Sequence, residues 1–290
     1  MSAEPTVPRG FEVAVPAPRA PAPRRLRSPG EGRLWHVLEE LAGMVDLGLR
    51  AMRTAVTPPY SWTGEFLREA YLTLVRCLIP VTISTLAFGF GNAGVQPNNL
   101  LNIFGSVDRS GAFLVAASVR EFAPWVNAMV LAGVAGTAIC ADLGARKARD
   151  ELDALAVMGV DAVRSLVVPR FLALGVVTAL MNMVAVLSGI LGALFATVVV
   201  FQEPAAGFVS TFTSNFSLPD LLGSAIKCSL FGFIIAVVCC YKGMTVRGGP
   251  EGVGRAVNQA VVIAFAGIWV VNFMFTALLL GAFPETGNLH

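Results

Sequence analysis

The sequence predicts an all-α integral membrane protein. An N-terminal interfacial amphipathic helix precedes five transmembrane helices, with a short cytoplasmic coupling helix between the second and third spans. Three observations lead there. Of 290 residues, 55% are hydrophobic and 14% charged, whereas an ordinary soluble domain carries about 25% charged residues. Long apolar runs recur, each near the ~20 residues needed to cross a bilayer. Lys and Arg gather on one side of those runs. A single soluble domain of this size could not cover its surface with so little charge, which excludes an ordinary soluble enzyme. The net charge of +2 gives no reason to expect a nucleic-acid partner.

Residues 1–32 read as a disordered cytoplasmic tail. Seven prolines fall in the first thirty residues, interleaved with Arg9, Arg19, Arg24, Arg25 and Arg27, a composition that buries little apolar surface. No short apolar stretch with a cleavage site is seen, so no secretory leader is expected. Residues 33–57 form the interfacial helix. Leu34, Val37, Leu38, Leu41, Met44, Val45, Leu49 and Met52 recur at helical spacing. Arg33, Glu39, Glu40, Asp46, Arg50 and Arg53 make the run too charged to span. Thr57-Pro58-Pro59 ends it.

Residues 65–284 make the membrane domain. The first span is Glu65–Phe90, kinked at Pro80 and broken by the polar run Asn92–Asn102. Ser110–Val119 is a short lead-in to the second span, Phe122–Cys140, with Arg120-Glu121 at the boundary. Asp142–Met158 reads as one charged helix outside the membrane, with i,i+4 pairs Arg146/Asp150, Lys147/Glu151 and Arg149/Asp153. Phe171–Gln202 is the third span, and Ala185, Gly189 and Ala193 offer a small-residue packing face. Gln202–Asp220 is a loop. Leu221–Tyr241 is the fourth span, Lys242–Arg255 a Gly-rich basic loop and Ala256–Pro284 the fifth span. Sixteen Lys and Arg residues lie on the side of the N-terminus against one, Arg109, on the other. The N-terminus is therefore expected in the cytoplasm and the C-terminus outside, in the plasma (inner) membrane.

Enzymatic constellations are missing. His36 and His290 stand alone, and Cys77, Cys140, Cys228, Cys239 and Cys240 sit in apolar stretches as small hydrophobes, with no CxxC pair. No metal or bound cofactor is expected. No G-x-x-x-x-G-K-[ST] loop occurs, so any ATP is used by another polypeptide. Gly248-Gly249-Pro250-Glu251-Gly252 reads as a turn.

Two groups of residues stand out. Arg120, Glu121 and Lys227 are ionisable groups beside or within spans, where charge is costly and faces protein or a water-filled cavity. Glu121 can pair with Lys227 while Arg120 meets a lipid headgroup, or the charges can be an internal ion pair alone. Asn127, Asn182, Asn258 and Asn272 are interhelical hydrogen-bond candidates. The segment Asp142–Met158 combines charges with an apolar edge at Leu152, Leu155 and Met158, features that suit docking of a separate motor. A passive scaffold for extracytoplasmic proteins is the alternative, and an ion-coupled carrier is disfavoured by the lack of a second intramembrane acid.

Several motifs add to this. Arg120-Glu121-Phe122-Ala123-Pro124, Ala132-Gly133-Val134-Ala135-Gly136-Thr137-Ala138 and Ala141-Asp142-Leu143-Gly144 resemble the MlaE/YrbE permease family. The likeness continues through Glu151-Leu152-Asp153-Ala154-Leu155, Met158-Gly159-Val160-Asp161, Tyr241-Lys242-Gly243 and Gly252-Val253-Gly254-Arg255. Thr245–Gly252 is most similar to the actinobacterial YrbE branch, which accompanies Mce proteins. The resemblance implies a non-catalytic permease subunit of an ABC-type lipid transporter. It would pair with a second permease subunit, identical or a YrbE-type relative, and with a cytoplasmic ABC ATPase dimer and Mce-domain proteins outside. Membrane lipids (phospholipids, fatty or mycolic acids, sterols) would be the cargo, mainly imported. The substrate cavity would involve Arg120, Glu121, Lys227 and Asn272, the last standing where some relatives have an aspartate. ATPase coupling would involve Asp142, Gly144, Arg146, Lys147, Glu151, Leu152, Leu155, Met158 and Gly159.

Overall fold

The computed structural model describes residues 29–58, 60, 62–106 and 109–282. Most of the expected tail, and His290, lie outside the described residues. Two compact units divide at Glu40 and Leu41. In the first, the described residues are helical and His36 lies 3.7 Å from Glu39. The second contains the membrane helices.

Helix α1 runs Pro29–Val56. In the second unit its face Met44, Leu47 and Ala51 is buried. Gly43 lies against the ring of Tyr241, and Gly48 against Val237. The apolar residues Leu41, Val45, Leu49 and Met52 are exposed. The apolar stripe is thus wider than one protein contact needs, as suits a helix that also faces lipid. Arg164 ties down the end of α1, donating from Nη2 to the carbonyls of Thr57 and Pro58 at 3.2 and 3.3 Å.

Among the described residues, five helices are long and apolar enough to cross a membrane. These are α2 (Thr63–Ile103), α3 (Ser110–Ala148), α5 (Val163–Val200), α7 (Leu218–Met244) and α8 (Gly249–Ala282). The remaining pieces are α4 (Glu151–Val157) and α6 (Ala205–Asn215). Every cysteine is buried and free.

The spans are longer than the sequence suggested. Wide π turns at Gly89–Val95 and Val115–Phe122 carry α2 and α3 through places that read as breaks, and further π turns lie within α3 at Ala132–Gly136 and within α5 at Ala196–Val200. The polar run after Phe90 does not end α2. It turns inward, and buried Asn98 donates to Thr197 Oγ1 at 2.9 Å. Likewise Ser110–Val119 is no separate lead-in but the first part of α3. The expected loop 202–220 contains α6, whose Phe208 is buried and whose backbone lies directly against Gly111. Gly248 and Gly249, at φ 92° and 65°, compress the expected basic loop into a tight connection before α8.

The expected single helix Asp142–Met158 is two pieces. Residues 142–148 are the end of α3, and Asp150 takes a left-handed conformation at φ 57° before α4. This break shifts the charge register. Arg146 bonds back to Asp142 at 3.2 Å, Lys147 to Asp153 at 2.8 Å and Arg149 to Glu151 at 2.7 Å, not the i,i+4 pairs anticipated. The Glu151 carboxylate raises the Arg149 guanidinium above its ordinary value.

Small residues set the close contact of α2 and α5. Gly89 of α2 lies on the backbone of Gly189, and Gly192 on the backbone of Leu86, Gly89 and Phe90. In lipid, where apolar surface gains nothing by leaving water, such close packing drives association. Asn127 donates to the Thr178 carbonyl and Asn182 to Ser224 Oγ, both at 2.9 Å, so both bridge spans as anticipated. Asn258 does not: it is exposed, with no hydrogen bond among the described residues.

Candidate functional site

A cluster of charges is built where α3, α7 and α8 meet. Pro124 follows Arg120 by four residues and has no N–H, so the Arg120 carbonyl loses its ordinary α-helical donor. Lys227 Nζ of α7 donates to that oxygen at 2.8 Å. The same ammonium lies 3.1 Å from Glu121 Oε1 and 2.9 Å from Thr276 Oγ1. Glu121 accepts further from Thr276 Oγ1 at 2.5 Å and from Asn272 Nδ2 at 2.7 Å. The Lys227 side chain is 3% exposed and that of Glu121 31%. The acid is therefore the accessible member of a buried pair.

Arg120 points elsewhere, because adjacent residues on a helix diverge. Its Nε donates to Asp220 Oδ1 at 2.7 Å, and the Asp220 side chain is fully buried. Asp220 also accepts from Ser217, backbone N–H at 3.1 Å and hydroxyl at 2.6 Å, capping the start of α7. The expectation of an Arg120 open to a headgroup therefore needs correction. Its guanidinium is held by Asp220, a carboxylate from the expected loop 202–220. Two cations meet two anions, so the cluster is electrically balanced.

Arg120, Glu121, Lys227 and Asn272 are thus brought together as a set. Asp220 and Thr276 join them unanticipated. A signal existed for Asp220: Ser217-Leu218-Pro219-Asp220 has the S-x-x-[DE] spacing of a helix start. Thr276 lies one turn beyond Asn272, a spacing that says nothing until its partner is known. The Trp125 and Trp269 rings pack 4.8 Å apart about one helical turn along α3 and α8 from this cluster.

The coupling residues separate into different environments. Asp142 braces α3 to α5, accepting from Arg146 at 3.2 Å and from Arg170 Nη2 at 2.5 Å. Gly144 is buried against Val246 and Val253. Leu152 is buried and Leu155 half-buried, so neither is a free docking surface. The apolar tip is Val157 and Met158, 89% and 67% exposed, of which Val157 had not been singled out. Gly159, at φ 73°, ends α4, with Val160 N–H donating to Leu155 O at 2.9 Å. Lys147 and Glu151 remain at the surface in the ion pairs given above.

A sequence profile of the family described as Permease MlaE matches residues 66–278. The chain belongs to the MlaE permease family. The match spans the five long helices except the outermost ends of the first and last, and includes the Arg120–Glu121–Lys227 cluster. Among relatives, a probable ABC transporter permease of Synechocystis is 31% identical over 185 residues, 64% of this chain and 69% of that protein. A probable ABC transporter permease of Rickettsia typhi is 26% identical over 201 residues, 69% and 78% of the two chains. The chloroplastic protein trigalactosyldiacylglycerol 1 of Arabidopsis thaliana is 28% identical over 167 residues, 58% of this chain and 48% of that protein. With five helices of membrane-crossing length, this MlaE-family permease is a multi-pass membrane protein.

Proposed function

We propose that this chain is the permease subunit of an ABC-type transporter that moves lipid across the cell envelope. The observation that carries this reading is the Glu121–Lys227–Asn272–Thr276 cluster, an ionisable site kept inside apolar spans where charge is costly. Its accessible acid beside apolar helix surface suits a molecule with a polar head and long tails. The relatives named ABC transporter permeases support a separate ATPase as the energy source, and a second permease subunit beside this one. The sequence resemblance adds Mce-domain proteins as the extracytoplasmic conduit and import as the direction. In this reading the cytoplasmic face carries α4, and the ATPase grips the Val157–Met158 tip. ATP binding favours one arrangement of the pair, and lipid leaves or enters beside Glu121 as the arrangement shifts.

The experiment is reconstitution of the full chain, with the proteins that co-purify with it, in liposomes carrying a fluorescent phospholipid. ATP-dependent movement is expected, with an ATPase in the preparation. Val157→Asp with Met158→Asp is expected to remove the ATPase while leaving the melting temperature unchanged. Retention of the ATPase by that variant would refute docking at α4, and movement without any ATPase would refute the motor-driven reading.

A further inference from the structure

The opposite end of α3 has a second polar site. Twenty-one residues separate Glu121 from Asp142 along one continuous helix, or about 30 Å at 1.5 Å per residue. There, α2, α3 and α5 enclose a cavity of about 650 Å³. Its α2 wall presents Glu65, Glu69 and Arg76 along one stripe, with Arg68 beside them. That stripe runs about 16 Å along the helix, so the cavity is a crevice extending into the span. Asp142 and Arg146 line the α3 wall, and Arg170 of α5 the third side.

The charges in this crevice do not close on themselves. Four guanidiniums and three carboxylates line it, and Arg146 also lies 4.0 Å from Glu151 outside the lining. Arg170 is 6% exposed. Its Nε donates to Glu69 and its Nη2 to Asp142, but its buried Nη1 has no acceptor. Buried polar groups are almost always paired, and a guanidinium has no way to lose its charge. Arg68 and Arg76 have no ion-pair partner among the described residues. Arg170 therefore keeps one buried donor unmet, and the exposed Arg68 and Arg76 line the same crevice beside Glu65. A tetrahedral oxyanion with several acceptors suits arginine forks better than a single carboxylate does. The outer face of α2 beside the crevice is apolar, with Leu67, Tyr71, Val75 and Ile79 exposed. A group entering there can keep acyl chains in the bilayer.

We propose that this crevice binds a phosphate group, supplied by a lipid headgroup or by free phosphate, through Arg170, Arg76 and Arg68. The site is separate from the Glu121 cluster and needs neither ATP nor a partner chain. Its test is therefore independent of the transport reading. The full chain, purified in neutral detergent, is titrated with dioctanoyl phosphatidic acid, dioctanoylglycerol and inorganic phosphate. Binding of a phosphate-bearing probe is expected, weakened at least tenfold in Arg76→Gln and Arg68→Gln. These two side chains hold no ion pair, so both variants should fold normally. Arg170→Gln is expected to abolish binding. Tighter binding of phosphatidic acid than of inorganic phosphate supports the site and names the lipid as source. Equal binding supports the site with free phosphate as its ligand. The proposal is overturned if neither probe binds, if Arg76→Gln and Arg68→Gln bind as the natural chain does, or if dioctanoylglycerol binds as tightly as phosphatidic acid.

Discussion

Lys227 Nζ sits 2.8 Å from the Arg120 carbonyl, the oxygen that Pro124 leaves without its α-helical donor. One imino acid thus creates an acceptor inside a span, and the ammonium from another helix fills it. The Glu121 carboxylate completes the same coordination at 3.1 Å. Helix geometry and ion pairing are therefore coupled at this position.

Breaking that pair from one side is expected to be worse than removing both charges. Glu121→Gln leaves the buried Lys227 ammonium without its counter-charge, at about 3 kcal/mol, the lower part of the range for stranding a buried partner. Glu121→Gln with Lys227→Met is expected to recover most of that loss. Thermal unfolding of the three variants in one detergent checks this. A double variant less stable than Glu121→Gln alone would contradict the arrangement.

Asp220 has two tasks, and they can be separated. Ser217→Ala removes a capping contact worth about 1 kcal/mol. Asp220→Asn removes the counter-charge of Arg120, whose side chain is 11% exposed, and is expected to cost about 3 kcal/mol. Melting temperatures should fall in the order natural chain, Ser217→Ala, Asp220→Asn. Equal losses would mean that the Arg120 contact contributes nothing beyond the cap.

Asn272 donates to Glu121 at 2.7 Å, so an aspartate there does more than remove an amide. Asn272→Leu loses one hydrogen bond, about 1 kcal/mol. Asn272→Asp loses the same bond and adds repulsion between neighbouring carboxylates. It is expected to be the less stable of the two by a further 1 kcal/mol or about that. Unfolding at pH 7 of the two variants measures the difference.

Close approach of α2 and α5 yields a positional prediction. A methyl group at Gly89 or Gly192 would press on backbone atoms, which cannot turn aside. Alanine at either is expected to cost about 1–3 kcal/mol. At Gly189 the nearest atom is the Ser118 hydroxyl at 3.1 Å, and alanine should be tolerated within about 1 kcal/mol. Monodispersity and melting temperature after purification discriminate the three.

Much of this was legible along the chain, because a bilayer imposes simple demands. A span must be apolar for about 20 residues, and five stretches met that demand. The charged residues that survive inside them marked Glu121 and Lys227 by their cost alone. Small residues at four-residue spacing marked the α5 packing face.

Other features depended on atoms far apart in sequence. Whether Asn92–Asn102 ends a helix or packs inside depends on Thr197, about a hundred residues away. Arg120 could not be assigned to Asp220 until α7 was known to begin at Leu218. Gly144 looked like a surface residue because its segment is hydrophilic, yet Val246 and Val253 cover it, and Asp142 is tied to Arg170 of another helix.

Hydrophobic content determined on its own that the chain is helical and crosses a membrane. Backbone hydrogen bonds within a helix are local, so composition can specify them. Which charge meets which, and which helix ends stay open, was decided only by tertiary packing. Ion pairs, buried caps and π turns reflect the energy of contacts between helices that the linear order does not encode.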